Sequence, residues 1–362
     1  TGEEKAVTLD ELRKRIDALD SEILQRLNER AECAKEIAKI KQNENAPIYV
    51  PEREKAVFQR LAGRNSGPLG NEALVSIYRE IISAIRALEK PTTVAFLGPK
   101  DTFSHMAALR VFGSSAEYHP MPSFADVFGE VERERIDYGV VPVESSMGGA
   151  VSDTLDCFIA SNLKIVNEVM LQVTQNLLAK CALEEVERVY SKDNALIQCR
   201  DWLRANLAHA ETVEVSSTAE AARRAAEEPH AAAIASRLAA QTYNLEVQAA
   251  HIEDNSQNYT RFFVMGRQIV QPTGDDKTSL LISVSDKPGA LHHLLVPFGR
   301  RGINLTRIES RPSKQKAWEY VFFIDLLGHA EEEPVKSVLE EIREYTRDLK
   351  VLGCFPRAER PA

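Results

Sequence analysis

Apolar residues in the first 90 positions recur with the period of a helix. Over residues 9–41 they return every three or four positions and neither proline nor glycine intervenes, which predicts one unbroken helix about 50 Å long. The first 90 residues alone cannot cover a helix of that length, so we expect a second copy of the protein to pack against it in an intertwined dimer. At about 100° per residue, one sector of the helix holds Leu12, Ile16, Leu19, Ile23, Leu27, Ala34 and Ile37.

Cations interrupt this apolar sector. Arg30 and Lys41 lie inside it, and Arg13 lies at its edge. A sector made only for packing would exclude them, because a buried charge without a partner is costly. The pattern therefore favours an anionic ligand on this helix, and a buried ion pair within a helical dimer is the alternative.

Three blocks of different pattern follow one another along the chain. Residues 1–90 are predicted to be all-helical, with further helices after Pro51 and over residues 71–89. Residues 91–271 alternate short apolar runs with helical stretches, which is typical of an α/β fold with largely parallel sheet. The strands predicted in this second block are residues 94–97, 138–143, 164–169, 188–190, 212–215 and 232–235.

The third block, residues 277–362, follows a linker at residues 271–276. Its pattern predicts the order strand, helix, strand, strand, helix, strand, which is that of a ferredoxin-like α+β domain. The sequence thus predicts a multidomain protein with an all-α, an α/β and an α+β part. The elements predicted in the third block are residues 279–285, 290–299, 303–310, 318–327, 332–345 and 349–354.

Composition narrows the range of partners. The chain has 362 residues, of which 44% are hydrophobic and 27% charged, and its net charge is −9. Without a basic surplus, neither nucleic acid nor an anionic membrane surface is expected as a partner. Five scattered cysteines without a C-x-x-C pair predict neither a disulfide framework nor a zinc site, and they favour the reducing cytoplasm. No apolar run is long enough to span a membrane, and no metal or cofactor is expected.

Short motifs of the first block resemble the all-helical chorismate mutase family. They lie at residues 12–20, 28–30, 39–41, 47–49 and 52–54. That family rearranges chorismate, a dicarboxylate with an enolpyruvyl ether, to prephenate without a cofactor. Such a pericyclic reaction needs a folded substrate conformer and donors matched to the charge that develops on the ether oxygen, and it needs no nucleophile.

The resemblance implies a role for each cation of these motifs. Arg30, Arg53 and, from a partner subunit, Arg13 would bind the carboxylates, while Lys41 and Glu89 would address the ether oxygen. Because Glu89 must be protonated to donate a hydrogen bond, we expect the mutase activity to fall as the pH rises through a pKa that burial raises.

Three more positions belong to the implied mutase site. Glu54 would accept a hydrogen bond from the ring hydroxyl of the substrate. Val50 stands where the family can have Asp, so it offers only its backbone N–H. Ile85 stands where a carboxylate-binding Ser is usual, and this departure is expected to weaken substrate binding.

Three motifs of the second block resemble prephenate dehydratases. They are residues 94–105, residues 141–151 and the Thr-Arg-Phe motif at residues 260–262. The resemblance covers about 180 residues and implies two α/β lobes hinged around a cleft, as in periplasmic binding proteins. The family removes carbon dioxide and the ring hydroxyl from prephenate to give phenylpyruvate.

By this resemblance Thr260 would donate to the departing hydroxyl, with Arg261 and Phe262 shaping the strand behind it. Helix capping is the alternative role for most of the cleft hydroxyls, since Ser and Thr between a strand and a helix usually cap. The other positions expected to line the cleft are Ser104, Glu144, Gln198, Ser216, Thr218 and Ser236.

The second block also departs from the family pattern. Asp101 replaces a Gly, Ser145 replaces an Asn, and residues 192–194 replace a His-Pro-Gln stretch. An Asp in place of Gly adds bulk and negative charge beside a dianionic substrate. Dehydratase activity is therefore predicted with less support than mutase activity.

Two motifs of the third block, residues 286–291 and 305–312, resemble the ACT module of phenylalanine-regulated dehydratases. The resemblance implies an effector site for L-phenylalanine across a dimer interface. Gly289 would let the effector approach the backbone, and main-chain groups of Asn304 and Leu305 would bind its charged ends. The implied effector residues are Gly289, Ala290, Leu291, Asn304, Leu305, Glu309 and Ser310.

Taken together, the three resemblances predict the family of bifunctional chorismate mutase/prephenate dehydratases with a C-terminal ACT domain. The implied small-molecule partners are chorismate, prephenate and L-phenylalanine, and the implied assembly is a homodimer or a higher homo-oligomer. One alternative is a phenylalanine-regulated mutase whose middle block only binds a ligand. Another is a ligand-binding or sensor protein of the periplasmic type, against which the cationic first helix argues.

Overall fold

The computed structural model describes residues 8–44, 47–285, 287–313 and 320–358. The first part of the chain is helical, and α1 begins with reciprocal hydrogen bonds between Thr8 and Glu11, which form a capping box. Pro51 occupies the first turn of the second helix, where its missing N–H costs nothing. The helices are α1 (Leu9–Glu44), α2 (Pro51–Arg64) and α3 (Asn71–Ala87).

The apolar sector of α1 is open to solvent in the single chain. Leu12, Ile16, Leu19, Ile23 and Ile37 are all about half exposed, between 47% and 56%. Burial begins only near the carboxyl end of the helix, at Ala38. The helix therefore extends beyond the rest of its own chain along most of its length.

The second part of the chain forms two lobes. The first lobe has a mixed sheet in the order β2-β1-β3-β11-β5, and β4 pairs with the end of β3. Its strands are β1 (Thr93–Leu97), β2 (Glu117–Met121), β3 (Tyr138–Ser145), β4 (Gly149–Ala150), β5 (Lys164–Gln172) and β11 (Tyr259–Gly266). Its helices are α4 (Phe103–Phe112), α5 (Phe124–Glu132) and α6 (Ser152–Ala160).

The second lobe has a sheet in the order β10-β6-β9-β7-β8. Its strands are β6 (Asn176–Ala179), β7 (Arg188–Ser191), β8 (Glu211–Glu214), β9 (Ala231–Ala235) and β10 (Glu246–Ala249). Its helices are α7 (Asp193–Gln198), α8 (Arg200–Asn206), α9 (Thr218–Glu227) and α10 (Arg237–Tyr243), with a 3₁₀ turn at Leu183–Glu185.

Both sheets are mixed, whereas the sequence pattern predicted largely parallel sheet. The chain leaves the first sheet after β5 and re-enters it between β3 and β5, so β11 runs antiparallel to both neighbours. In the second lobe, β6 likewise runs antiparallel to β9 and β10. The pattern did not reveal β2, β6 or β10. Strands β2 and β10 are edge strands with partly exposed side chains and no clean alternation, and β6 is a buried run of only four residues.

Two chain crossings join the lobes. Hydrogen bonds connect the two crossings: the N–H of Val173 donates to the carbonyl of Asn258 at 2.8 Å, and the N–H of Ile252 donates to the carbonyl of Gln175 at 2.9 Å. These bonds tie the outgoing segment after β5 to the returning segment before β11. The lobes therefore share a short paired connection beside the cleft.

The third part of the chain has the predicted order of elements. They are β12 (Asp276–Ser283), α11 (Ala290–Arg300), β13 (Leu305–Pro312), β14 (Tyr320–Leu327), α12 (Val335–Ile342) and β15 (Asp348–Pro356). The sheet order is β13-β14-β12-β15 with antiparallel neighbours throughout, as in ferredoxin-like domains. Asp286 and the predicted start of β14 at residues 318–319 lie outside the described residues.

The two faces of this third sheet have different partners. Leu280 and Ile324 pack under α11 and α12, whereas Leu281 and Phe323 belong to the core of the first lobe. The approach is close at Gly353 on β15, where a Cβ atom would lie 2.1 Å from the carbonyl oxygen of Ile165 on β5. Within the described ranges no helix combines the length and the apolar composition needed to cross a membrane.

Candidate active sites and effector site

A cavity of about 600 Å³ lies between the helical domain and the first lobe. Lys41, near the end of α1, and Glu89, just after α3, line its wall. The Lys41 ammonium donates to the carbonyl of Pro47 at 3.1 Å, which ties α1 to the segment before α2. The first lobe and its connection to α3 supply Thr92, Asp137, Tyr138, Arg267 and Gln268.

Glu54 on α2 forms an ion pair with Arg86 on α3. Arg86 Nη2 lies 2.7 Å from Glu54 Oε1, and both side chains are largely buried. The guanidinium also lies over the rings of Tyr49 and Phe112, at 5.1 and 5.8 Å from their centroids. Arg86 Nη1 is buried and has no hydrogen-bond partner within the part of the chain that the structure describes.

Sequence reasoning missed Arg86, although the signal was the one that identified Arg30. Arg86 follows Ile82 by four positions and Val75 by eleven, so these three residues share one face of α3. A guanidinium on an apolar helix face indicates a buried partner. Here that partner is the Glu54 carboxylate.

Four of the predicted residues come together in this region. Burial raises the pKa of Glu54, and the positive charges of Arg86, Arg79, Arg30 and Lys41 oppose that shift. Burial also raises the pKa of Glu89, against the charges of Lys41 and Arg86. The site is therefore a cationic region that contains two carboxyl groups with raised pKa values.

Arg13, Arg53 and Val50 take other positions. Arg13 is exposed, pairs with Asp10 at 3.8 Å, and lies about 40 Å along α1 from Lys41, so it cannot reach the cavity of its own chain. The Arg53 side chain is exposed. The carbonyl of Val50 accepts hydrogen bonds from the backbone N–H groups at positions 53 and 54, which starts α2.

Tyr49 anchors the segment before α2 to the first lobe. Its side chain is buried, and its ring packs against Phe112 at 4.8 Å and Tyr138 at 5.3 Å. Its hydroxyl accepts a hydrogen bond from Asn167 Nδ2 at 2.6 Å, and its carbonyl accepts one from Gln268 Nε2 at 2.9 Å. The position of α2, which carries Arg53 and Glu54, thus depends on the neighbouring domain.

The dehydratase-like motifs meet at one edge of the first sheet. The carboxyl ends of the parallel strands β1 and β3 lie at that edge, and β11 begins there because Thr260 is paired with Ser145. Ser104 lies in the first turn of α4, which follows β1, and it is buried. Glu144 ends β3 opposite Arg261, and its side chain is 41% exposed.

The second lobe presents the matching edge. Its parallel strands β7, β8 and β9 end on one side, where the segments before α7, α9 and α10 begin. Ser236 Oγ donates to the carbonyl of Asp101 in the first lobe at 3.1 Å, so the two edges face each other. Gln198 Oε1 accepts from Gln175 Nε2 at 3.1 Å and from Asn258 Nδ2 at 3.0 Å, beside the chain crossings.

Helix capping accounts for some of the cleft hydroxyls. Ser236 caps α10 by accepting from the N–H of Ala239 at 3.3 Å. At α9 the capping residue is Ser217, between the predicted Ser216 and Thr218, and it accepts from Glu220 N at 3.0 Å. Ser216 is exposed.

Asp101 has a left-handed backbone conformation, which glycine adopts readily. Its φ of 67° lies in the left-handed region, which Asp tolerates better than most residues. Its N–H donates to His105 Nδ1 at 3.1 Å, and its carboxylate lies 3.7 Å from the same ring atom. Burial lowers the pKa of His105. The Asp101 side chain is thus buried beside a histidine.

Phe262 and Arg261 are both buried. Phe262 packs in the core of the first lobe with Tyr49 and Val140. The Arg261 guanidinium bonds Glu168 Oε2 through Nε at 2.6 Å and Asp325 Oδ2, in the third domain, through Nη1 at 2.5 Å. Arg261 is therefore bound both by strand β5 and by the third domain, and Phe262 is fixed in the core of the first lobe.

The implied effector residues divide into two groups in a single chain. Gly289, with φ of 80°, precedes α11 beyond the carboxyl end of β12. Asn304 accepts a hydrogen bond from Leu327 N at 3.0 Å, near the amino end of β12. Because an eight-residue strand is about 25 Å long, one chain does not bring these two groups together.

Comparison with known proteins agrees with this architecture. Sequence models of three families match in order: chorismate mutase type II at residues 12–90, prephenate dehydratase at residues 94–269, and the ACT domain at residues 278–344. Each part of the chain therefore has a family of its own.

Two relatives match this chain along nearly its entire length. A bifunctional chorismate mutase/prephenate dehydratase of Aquifex aeolicus is 53% identical over 97% of this chain and 98% of the relative. A relative of the same name from Stutzerimonas stutzeri is 47% identical over 98% of this chain and 99% of the relative. The crystal structure of prephenate dehydratase from Arthrobacter aurescens in complex with L-Phe is 35% identical, with a TM-score of 0.69, over 75% of this chain and 92% of that one. This chain belongs to the family of bifunctional chorismate mutase/prephenate dehydratases.

The Arg86–Glu54 pair is expected to stabilise the helical domain only as a pair. Arg86→Met leaves a buried carboxylate without its partner, and we expect a loss of about 3 kcal/mol from the unfolding free energy of this domain. Arg86→Met with Glu54→Leu should recover most of the loss, because neither charge is then buried alone. Hydrogen exchange of the α3 amides measures this local stability.

Arg60→Met, at an exposed position of α2, is the matched control and should change the stability by less than about 0.5 kcal/mol. A double variant no more stable than the single one would contradict the pairing.

Proposed function

We propose that this chain converts chorismate to prephenate in the cavity of the helical domain and prephenate to phenylpyruvate in the cleft between the lobes. L-Phenylalanine, bound to the third domain, inhibits the second reaction. The observation that carries the proposal is that Lys41 and Glu89 line one cavity while the charges of Arg30 and Lys41 act on the nearby Glu54, in a chain whose later motifs meet at a second site.

The mutase step requires no covalent chemistry from the protein. Arg30, Arg53 and Arg13 of a second subunit hold the two carboxylates, so that the enolpyruvyl group lies over the ring. Lys41 and the protonated Glu89 stabilise the charge that develops on the ether oxygen as the C–O bond breaks and the C–C bond forms. Charge stabilisation of this kind is strongest in a site from which water is excluded.

The dehydratase step is an elimination driven by aromatisation. The bond from the ring to the carboxylate breaks, its electron pair enters the ring, and the ring hydroxyl leaves as water after it receives a proton. Thr260, at the start of β11, donates to this hydroxyl.

A coupled assay on the full-length chain tests both reactions. Supplied with chorismate, the protein should form phenylpyruvate, and L-phenylalanine should suppress its formation. Thr260→Val should lower the second step at least about 100-fold while prephenate still forms. Thr212→Val, at an exposed position of β8, is the control and should resemble the unaltered protein. Accumulation of prephenate by the unaltered protein, with no phenylpyruvate, would instead support a mutase whose middle domain only binds.

The pH dependence of the mutase step tests Glu89. Only the protonated carboxyl donates, and burial raises its pKa, so kcat/KM should be constant at low pH and fall as the pH rises through that pKa. Glu89→Gln keeps a donor that does not titrate, so this alkaline decrease should disappear. Glu72→Gln, at an exposed position of α3, should retain it. The same decrease in Glu89→Gln would remove Glu89 from the mechanism.

A homodimer joined along α1 is part of the proposal. The open apolar sector of α1 needs a cover, and Arg13 lies too far from the cavity of its own chain to act there. The two separated groups of implied effector residues also need a second copy to form one site.

A charged substitution in the apolar sector of α1 tests the proposed dimer. Ile16→Asp places a carboxylate in the proposed interface, so mutase activity should be lost even where the third domains still hold two chains together. Lys14→Asp, two positions away on the other side of the helix, should keep the activity. An Ile16→Asp protein with the mutase activity of the unaltered one would contradict an interface along α1.

A further inference from the structure

We infer that Arg307 of the third domain is a positioning residue of the dehydratase cleft and that it transmits effector binding to Glu144 and Thr260. This inference rests on the proposed function, since it names the contact through which L-phenylalanine would act. It is drawn from a buried network of charged groups between the third domain and the first lobe.

The Thr-Arg-Phe motif is attached to the third domain. Arg261, next to Thr260, is 5% exposed and pairs with Asp325 on β14 at 2.5 Å. The other oxygen of Asp325 accepts from Ser279 Oγ on β12 at 2.5 Å. The residue beside the proposed proton donor is thus held by a strand of the regulatory domain.

Glu144 lies near two guanidinium groups. One of its oxygens, Oε2, lies 3.8 Å from Arg261 Nη1 and 3.8 Å from Arg307 Nε. Arg307, on β13, is the register partner of Asp325 on β14 and is also buried. A guanidinium of the third domain therefore shares a carboxylate of the cleft with Arg261.

The hydrogen bonds of this network are incomplete. A separation of 3.8 Å permits electrostatic attraction but is too long for a hydrogen bond. Arg261 Nη2 and Arg307 Nη2 are buried without a hydrogen-bond partner in the described ranges, and a buried donor is costly to leave unpaired. A small movement of Glu144 toward either guanidinium would satisfy such a donor and draw the carboxylate from the cleft edge.

Charge balance allows such a movement. The network contains three cations, Arg261, Arg307 and Lys277, and three carboxylates, Glu144, Glu168 and Asp325. The charges cancel when Glu144 is drawn in, whereas with Glu144 at the cleft edge the three cations face only Glu168 and Asp325. The excess positive charge therefore favours a movement of Glu144 toward the guanidinium groups. These two positions of Glu144 would be the two states of the inferred switch.

Arg307 lies next to the implied effector residues along β13. The pairing of β13 with β14 is interrupted by a bulge between Leu305 and Arg307, and Leu305 is one of the implied effector residues. Bulges set the direction of the side chains that follow them. An effector that binds the backbone at residues 304–305 would therefore change the direction of Arg307, which would tighten on Glu144 and slow the dehydratase step.

Arg307→Gln and Arg307→Lys test this connection in the full-length chain. Calorimetry should show that L-phenylalanine binds to both variants with a Kd within threefold of the unaltered value. The factor by which saturating L-phenylalanine lowers the dehydratase kcat/KM should decrease at least tenfold in Arg307→Gln. It should decrease in Arg307→Lys too, because an ammonium cannot bridge two carboxylates as a guanidinium does. The Lys variant keeps the buried charge, and mutase activity in the same chain confirms that each variant is folded.

Arg311→Gln is the matched control, because Arg311 lies on the same strand and joins the same two domains through Asp156 at 3.0 Å. It should retain full inhibition. Unchanged inhibition in both Arg307 variants, or an equal loss in Arg311→Gln, would overturn the inference. If the proposed function itself were wrong, the unaltered protein would form no phenylpyruvate or bind no L-phenylalanine, and this result is distinct from any result with the Arg307 variants.

Discussion

Strand β5 is the element on which the three domains of this chain meet. Asn167 holds the hydroxyl of Tyr49 from the helical domain, and Glu168 holds Arg261 of the cleft strand together with Lys277 of the third domain. At Ile165 the third domain approaches so closely that its strand must carry a glycine. Because one nine-residue strand makes all these contacts, the position of each site depends on the same piece of backbone.

Both proposed reactions rely on charges that are held before the substrate arrives. In the helical domain the carboxyl groups of Glu54 and Glu89 lie among cations, and burial raises their pKa values. Beside the cleft, Arg261 and Arg307 already have carboxylate partners. The mutase site is thus prepared to bind an anion, whereas the cleft must exchange partners to do so, which makes it the more suitable site for regulation.

Helix phase and the order of elements in the third domain were accessible from the sequence, and contacts between domains were not. The apolar sector of α1 predicted that Arg30 and Lys41 belong to a site, and the order of elements predicted the ferredoxin-like third domain. Arg86 carried the same signal as Arg30 but was missed, because its partner Glu54 lies on another helix. The role inferred for Arg307 could not be predicted, since its contact with Glu144 exists only once two domains have docked. Likewise, the antiparallel entry of β11 depends on how the chain returns from the second lobe.

The proposed dimer would complete two of the three sites and leave the third unchanged. Arg13 must come from a second α1, and Gly289 and Asn304 lie at opposite ends of one domain, so the mutase and effector sites each need residues of two chains. The cleft takes both of its facing edges from a single chain. An effector bound between two chains must then act on the cleft through the contact of the third domain with the first lobe. That contact contains the buried charged network of Arg261 and Arg307, so the proposed regulation would reach the proposed dehydratase site through this network.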